Sequence, residues 1–172
     1  MDKSMSQTVR IAGFNKNSIV DGKGLRYTVY VQGCKHNCKG CHNPDTHDFN
    51  GGTEMLIEDI VSDIAKYKYH KGVTLSGGDP FFQPIAAKSI ADAVHALGKD
   101  VWCYTGYTIE EILKSNDTDK IDLLKSVDVL VDGRFIQEQR TLDGYFKGSS
   151  NQRLIRVKDT LEHGEIVIEP NE

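Results

Sequence analysis

The sequence lacks any long apolar segment. No run approaches the roughly 20 consecutive apolar residues that a membrane-spanning helix needs, and the first residues do not form the apolar core of a secretory signal peptide. Repeats, low-complexity tracts and linkers are absent as well. We therefore expect a cytoplasmic protein without a membrane partner. The 172 residues fit a single domain, 1–172, that is long enough to bury a core.

An excess of basic residues is also missing. The chain has 21 Lys and Arg against 25 Asp and Glu, which gives a formal net charge of −4. Surfaces that bind nucleic acids broadly concentrate positive charge. Because this composition does not supply such an excess, we expect no nucleic-acid partner.

Cysteine is scarce but clustered. Three of the four cysteines, Cys34, Cys38 and Cys41, have the spacing C-x3-C-x2-C. Cytosolic thiols stay reduced, so such a cluster favours metal binding over disulfides. A closed structural zinc site takes four protein ligands, and a cubane iron–sulfur cluster ordinarily takes four cysteines. The triplet therefore predicts a cluster with one open iron, although a Cys3His zinc site completed by His42 remains an alternative.

Strand and helix patterns alternate along the chain. Apolar, β-branched runs predict strands at 25–33, 72–76, 100–105, 127–131 and 152–157. Amphipathic patterns predict helices at 54–68 with Thr53 as cap, from Pro84 to Gly98, from the capping box Thr108–Glu111 onward, and at 119–126. This alternation predicts an α/β fold, either a partial (β/α) barrel or a strongly curved open parallel sheet with helices outside. The chain is too short for a full eight-fold barrel.

Polar and glycine-rich segments follow the predicted strands. They are Cys34, Gly77-Gly78-Asp79, Thr105-Gly106 and Asp132-Gly133-Arg134. Ligands of α/β folds bind at the carboxyl ends of the strands, so we expect these segments to share one site. Simpler interpretations remain open: the glycines can form a turn, and Arg134 can pair with Asp132 at the surface. Cys103 is predicted to lie in the core, and the other histidines, His36 among them, to be ordinary surface or helix residues.

Several motifs resemble a known family when taken together. Cysteines spaced C-x3-C-x2-C after a strand, with Gly-Gly-acid-Pro after the next, resemble the radical S-adenosylmethionine superfamily. Further segments are similar to the activating proteins of glycyl-radical enzymes, and among these to activators of anaerobic ribonucleoside-triphosphate reductases. They are Asp21–Arg26, Gly33–Pro44, Ser76–Pro80, Thr105–Tyr107, Asp128–Phe135 and Gly148–Gln152. The resemblance covers about residues 9–157, and 158–172 form a C-terminal extension without a recognised motif.

The resemblance implies two cofactors. Cys34, Cys38 and Cys41 would bind one [4Fe–4S] cluster, and S-adenosylmethionine would chelate its fourth iron. Residues that would contact S-adenosylmethionine are Gly40, Cys41, His42, Gly77, Gly78, Asp79, Asp132 and Arg134. In this scheme Asp79 places negative charge near the methionine ammonium, Arg134 pairs with its carboxylate, and Asp132 binds the ribose, a cation or Arg134.

The resemblance also implies a reaction and partners. One electron from the reduced cluster cleaves S-adenosylmethionine, and the 5′-deoxyadenosyl radical removes a hydrogen atom from a glycine of the large reductase subunit. An external one-electron donor such as a flavodoxin would reduce the cluster. Two other functions remain as alternatives, a structural zinc-binding adaptor and a radical S-adenosylmethionine enzyme with a small-molecule substrate.

This sequence departs from the resembled superfamily at three positions. Gly40 stands where an aromatic residue usually precedes the third cysteine. Asp79 stands where the superfamily has glutamate, and Lys23 replaces a proline. Gly40 and Asp79 are typical of the small activating proteins, so neither argues against the resemblance.

Overall fold

The structure, a computed structural model, describes residues 7–41, 44–141 and 146–170. His42 therefore lies outside the described residues. The strands are β1 Thr8–Ser18, β2 Arg26–Val31, β3 Thr53–Leu56, β4 Gly72–Gly77, β5 Asp100–Tyr104, β6 Val129–Asp132 and β7 Arg153–Arg156. The α-helices are α1 Ile57–Ala65, α2 Pro84–Ala96, α3 Ile109–Lys114, α4 Thr118–Lys125 and α5 Val157–His163.

The strands form one open, mixed sheet in the order β3-β1-β2-β4-β5-β6-β7. Strands β2, β4, β5 and β6 are parallel, as the alternating pattern predicts. Three outer strands are antiparallel: β1 and β3 on one side and β7 on the other. Among the two forms expected from the sequence, the open sheet is the one found. Its antiparallel margins were not predicted.

The predicted helix over 54–68 is wrong at its start. Thr53 lies in β3 and pairs with Ile11 of β1, so it is not a helix cap. Helix α1 begins only at Ile57, and its N-cap residue Leu56 makes no side-chain capping hydrogen bond. The reason is tertiary, because pairing with β1 overrides a local pattern that also suits a helix.

Two other helix starts follow their sequence signals. Pro84 is the first residue of α2, where its missing N–H costs nothing. Thr108 and Glu111 form the predicted capping box, in which each side chain accepts a hydrogen bond from the other's backbone N–H. Helix α5, which follows β7 directly, was not predicted.

Side chains alternate between the two faces of the sheet. One face buries Leu75, Val101 and Cys103 in a core shared with the helices, so Cys103 is a core residue as predicted. On the other face Trp102 belongs to a smaller apolar cluster, and buried Arg26 lies over its ring, with the guanidinium carbon 5.5 Å from the ring centre. In the described part of the chain, no helix has the length and apolar character to cross a membrane.

Candidate metal centre

The parallel strands end at one edge in similar turns. Gly33, Gly77 and Gly133 follow or close three of these strands, with φ angles of 108°, 102° and 100°. Residues with a side chain rarely adopt such angles. At Gly77 a Cβ atom would also collide with the carbonyl oxygen of Val31 on the neighbouring strand. Glycine there lets the chain turn sharply and exposes main-chain groups at the edge.

A cavity of about 600 Å³ opens at this edge. The thiol-bearing residues Cys34, Cys38 and Cys41 line it together with Gly77 and Gly78. Other lining residues come from the remaining strand ends, namely Ser76, Tyr104, Thr105, Gly106, Gly133 and Phe135. The segments that follow the four parallel strands therefore share one site, as their positions in the sequence predict.

Two of the thiols lie in a partly desolvated environment. Burial raises the pKa of the Cys34 thiol to about 11, and the backbone N–H of His36 opposes this shift by hydrogen bonding to the sulfur. Burial also raises the pKa of Cys38, and there the backbone N–H of Phe135 opposes the shift. Main-chain donors directed at sulfur are what a metal-bound thiolate requires from its surroundings.

The three thiols line one cavity, and the two kinds of metal centre would space them differently. Thiolates that share one zinc ion at Zn–S distances of about 2.3 Å must nearly touch. Within the described ranges, no three Cys, His, Asp or Glu side chains are placed to hold one metal ion. A cubane binds its thiolates on different irons and so takes them farther apart. Three thiols in one cavity, two of them beside main-chain N–H groups, are compatible with the ligands of a cubane.

Asp79 is completely buried behind the cavity wall. Its carboxylate accepts hydrogen bonds from the Thr105 hydroxyl at 2.8 Å and from the backbone N–H groups of Gly106 at 2.9 Å and Phe81 at 2.9 Å. Its Oδ2 also lies 2.7 Å from Nε2 of His36. Asp79 thus joins the ends of β4 and β5 to the cysteine segment, and it does not itself line the cavity.

The prediction that His36 is an ordinary surface or helix residue is wrong. Its side chain is only 5% exposed and lies between Asp79 and the ring of Tyr107, whose centre is 4.6 Å away. The signal available in the sequence was its place between Cys34 and Cys38. Its partner Asp79 is 43 residues away, so local pattern could not assign the contact.

Asp132 and Arg134 have separate partners. Buried Asp132 accepts hydrogen bonds from the Ile109 backbone N–H at 2.9 Å and from the Arg153 guanidinium at 2.6 Å. Arg134 donates to the Glu111 carboxylate at 3.1 Å. The simple surface pair between Arg134 and Asp132 is not formed among the described contacts, and neither residue lines the cavity.

Comparison with known proteins supports an iron–sulfur cluster in this chain. The family described as "4Fe-4S single cluster domain" matches residues 20–155. The anaerobic ribonucleoside-triphosphate reductase-activating protein of Haemophilus influenzae is 35% identical over 81% of this chain and 93% of its own length. The protein of the same name from Escherichia coli K12 is 37% identical over 78% of this chain and 90% of its own length.

The chain belongs to the anaerobic ribonucleoside-triphosphate reductase-activating protein family. Among solved structures, the crystal structure of QueE from Escherichia coli superposes with a TM-score of 0.49 at 15% identity, over 62% of this chain and 56% of that chain.

The structure explains why position 40 of this family member is a glycine. Its φ is 76°, and a Cβ atom there would lie 3.0 Å from the side-chain amide carbon of Gln137. Gln137 thus covers the position from which an aromatic side chain would project. Gly40 does not line the cavity.

Asp21 was not among the site residues predicted from the sequence. Asp21 lines the cavity. Its Oδ2 accepts hydrogen bonds from the hydroxyls of Ser18 at 2.6 Å, Thr28 at 3.1 Å and Tyr30 at 3.2 Å. Burial raises the pKa of Tyr30 to about 12, so it stays a donor at neutral pH. The motif that begins at Asp21 was the available signal, but it gave no hint of these contacts.

Proposed function

We propose that this chain is an iron–sulfur activase that generates a glycyl radical on an anaerobic ribonucleoside-triphosphate reductase. One observation carries the proposal: three thiols share a cavity with the bare main chain of Gly77 and Gly78, in a chain that belongs to this family of activating proteins. The cavity volume of about 600 Å³ lies in the range of small-molecule sites, about 300–1,000 Å³.

In this proposal Cys34, Cys38 and Cys41 hold one [4Fe–4S] cluster, and S-adenosylmethionine occupies its fourth iron. When bound, the reduced cluster would supply one electron to the sulfonium, the 5′ carbon–sulfur bond would break with release of methionine, and the resulting 5′-deoxyadenosyl radical would remove the glycine hydrogen atom. The protein binds, orients and excludes water. Main-chain groups of Gly77 and Gly78 receive the methionine ammonium, because no side chain at those positions blocks its approach.

The remaining proposed contacts divide into direct and indirect ones. Asp79 acts on S-adenosylmethionine through the segments that it joins, because its carboxylate is buried behind them. Arg134 is 44% exposed in its side chain and bound to Glu111, so it can exchange that surface partner for the methionine carboxylate. Asp132 stays with Arg153 and holds the end of β6. The backbone of Cys41, which lines the cavity, borders the adenine, whereas Gly40 does not line the cavity and His42 lies outside the described residues.

The rim of the cavity suits a polypeptide substrate. Ile19 and Val20 line it and are 72% and 66% exposed. Two adjacent apolar side chains beside an open site are typical of a surface that is covered by a protein partner. We propose that they contact the reductase segment that carries the target glycine, and that a cytoplasmic one-electron donor such as a flavodoxin reduces the cluster.

The decisive experiment uses anaerobically reconstituted protein. Iron and sulfide analysis should give about four of each per chain, and dithionite-reduced protein should cleave S-adenosylmethionine. Addition of the large reductase subunit of the same organism should produce the electron paramagnetic resonance doublet of a glycyl radical. Zinc without sulfide would support the adaptor instead. Cleavage of S-adenosylmethionine with no radical on competent reductase would overturn the proposed substrate.

A second experiment tests the rim. Val20→Asp should weaken binding to the reductase about tenfold, as expected for an apolar contact inside a protein interface. Tyr69→Asp is a matched control, because Tyr69 is 96% exposed in the turn that precedes β4, at the opposite end of the sheet. Affinities for the reductase are measured anaerobically by biolayer interferometry. Equal affinities of the two variants would show that Val20 is not part of the interface with the reductase.

A further inference from the structure

A patch of aromatic rings and lysines lies beside the cysteine segment, residues 34–41, but outside the cavity. This lysine–aromatic patch consists of Lys35, Phe49, Phe82, Tyr107 and Lys120. Among the described residues that line the cavity, none belongs to the patch. Lys35 is exposed, and Phe49 is 40% exposed although it is apolar. The patch is therefore a separate surface next to the proposed cluster.

The rings of the patch contact one another, and two lysines lie over them. The ring centres of Phe49 and Phe82 are 5.8 Å apart, and those of Phe82 and Tyr107 are 5.6 Å apart. The Nζ atom of Lys35 lies 5.7 Å from the ring centre of Phe49. The Nζ atom of Lys120 lies 4.6 Å from the ring centre of Tyr107. Aromatic rings attract cations within about 6 Å of their centres, so the rings hold both charges over the patch.

Only a thin layer of protein separates the patch from the proposed cluster ligands. The ring of Phe49 packs on the main chain of Gly33, where a Cβ atom would lie 2.7 Å from it, and Gly33 directly precedes Cys34. The imidazole centre of His36 lies 5.3 Å from the ring centre of Phe82. His36 also lines the cavity. One side chain thus reaches from the patch to the cavity.

Positive charge is concentrated at this place although the chain as a whole is acidic. The cysteine segment carries Lys35 and Lys39 and no Asp or Glu, whereas the formal net charge of the chain is −4. Both lysines are exposed. Asp45 and Asp48 follow the segment in the chain, but among the described ion pairs neither carboxylate meets Lys35 or Lys39. The two lysines therefore offer their charge to a partner.

Lys120 has a different task in the patch. Its Nζ donates a hydrogen bond to the Tyr107 hydroxyl at 3.1 Å and lies 4.0 Å from the Asp117 carboxylate. Its side chain is only 20% exposed. Lys120 therefore fixes the ring of Tyr107, and Lys35 and Lys39 supply the accessible charge.

The proposed occupants of the cavity leave no place in it for an electron donor. S-adenosylmethionine fills the cavity at the fourth iron, and the reductase covers the rim at Ile19 and Val20. A donor protein therefore needs another approach to the cluster. Because electron transfer slows steeply with distance, that approach has to lie where little protein covers the cysteine segment. The lysine–aromatic patch meets this condition, and redox encounters between proteins need only a small interface.

We propose that the lysine–aromatic patch, together with Lys39, is the docking surface for an acidic one-electron donor protein. Carboxylates of the donor pair with Lys35 and Lys39, and the negative charge on the rest of the chain directs the donor to this place. One electron passes from the reduced donor to the oxidised cluster, so that the donor is oxidised and the cluster reduced by one electron each. The inference rests on the proposed function, because it requires a cluster on the cysteine segment.

The first test follows cluster reduction by anaerobic stopped flow. A reduced flavodoxin of net negative charge should reduce the clusters of Lys35→Glu and Lys39→Glu about tenfold more slowly than that of wild type at low ionic strength. Added salt should diminish the difference, because it screens exposed charges. Lys35→Arg keeps the charge and should react at the wild-type rate. Lys68→Glu is the matched control, since Lys68 is exposed in the turn that precedes β4, at the opposite end of the sheet.

Reduced methyl viologen separates docking from effects on the cluster itself. This small cationic donor needs no protein interface, so it should reduce the cluster of Lys35→Glu at least as fast as that of wild type. Slower reduction by both donors, or by neither, would overturn this inference. A wild-type protein that binds no iron, or that does not cleave S-adenosylmethionine after reduction by viologen, would overturn the proposed function instead.

The second test measures binding without electron transfer. Isothermal titration calorimetry with the oxidised flavodoxin should show an affinity about tenfold lower for Lys35→Glu than for wild type. Val20→Asp should leave that affinity unchanged, and Lys35→Glu should leave the affinity for the reductase unchanged. Weaker flavodoxin binding in Val20→Asp, with normal binding in Lys35→Glu, would place the donor at the cavity rim and contradict the docking surface.

Discussion

The two ends of the parallel strands carry very different cavities. At the amino ends, a cleft of about 250 Å³ is lined mainly by charged residues. At the carboxyl ends, the larger cavity is lined by thiols, glycines and hydroxyls. Both are openings in the same sheet, yet only the second presents groups that suit a metal centre. The difference shows that the identity of the lining groups, rather than the presence of a cavity, marks the site.

The acidic residues of the amino-end cleft are already paired. Asp100 binds Arg26 at 2.5 Å, Asp128 accepts from the Val101 backbone N–H at 2.7 Å, and Glu169 binds Arg156 at 2.8 Å. These contacts join strand starts and the chain end, which is a structural task. Charge in this cleft therefore stabilises the fold and does not indicate a ligand.

The largest predicted difference is in iron content, between a variant of Cys38, which lines the cavity, and a variant of Cys103, which is buried in the core. Cys38→Ser should abolish cluster binding, because it removes one of the three proposed thiolate ligands. The control Cys103→Ala should keep full iron and lose only about 1 kcal/mol of unfolding free energy, since Cys103 is a buried core residue. Iron analysis and denaturant unfolding measure the two effects. Full iron in Cys38→Ser would break the assignment of the site.

A second prediction compares glycines at strand and helix ends. Gly77→Ala should lower the free energy of unfolding by about 3–4 kcal/mol, because it combines an unfavourable positive φ with overpacking against β2. Gly98→Ala is the control at a positive φ of 77° with no atom within 4 Å of the added Cβ, and it should cost about 1–2 kcal/mol. Urea unfolding of the metal-free proteins checks the order. Equal costs would mean that the strand-end turn is not tightly packed.

A third prediction compares one carboxylate from each end. Asp79→Asn should cost about 2–3 kcal/mol, because the new amide hydrogen atoms would face the donors of Gly106 and Thr105. Asp128→Asn should cost about 1 kcal/mol or less, since that side chain is 47% exposed. Thermal unfolding measures both. A larger loss of unfolding free energy in Asp128→Asn than in Asp79→Asn would contradict the predicted difference between the two ends of the parallel strands.

The smallest predicted effect is a pH dependence near the amino end of β2. Hydrogen bonds from Lys16 and then from Tyr27 lower the pKa of Asp63 from its ordinary value of 3.8. A lowered pKa gives a stabilisation that is present above pH 3.8 and is lost as the pH falls through the folded-state value. Asp63→Asn should therefore be less stable than wild type at pH 7, by under about 1 kcal/mol. The difference in unfolding free energy between wild type and Asp63→Asn should become smaller in acid. A difference that grows in acid would contradict the lowered pKa of Asp63.

Local signals in the sequence predicted much of this arrangement. The Thr108–Glu111 capping box spans four residues and forms as expected. The cysteine triplet and Gly77-Gly78 reach one cavity because parallel strands end at the same edge. Each of these predictions needed only short spacing or one general rule of the fold.

Contacts between distant segments were not predictable in the same way. The antiparallel strand β3 looks helical until its pairing with β1 is known. From the sequence alone, Asp79 looks like an acidic residue that binds a ligand. In the structure its neighbour is His36, which lies 43 residues earlier in the chain. Asp132 likewise meets Arg153, 21 residues later. In these cases the partner, rather than the residue itself, decides the role.

The bond between His36 and Asp79 has a consequence for how the metal centre is assembled. It ties the cysteine segment to the sheet through protein groups alone. Part of the conformational entropy of ordering that segment is therefore lost when the chain folds, before the proposed cluster binds. The cysteine segment is thus partly ordered for the proposed cluster before any metal binds.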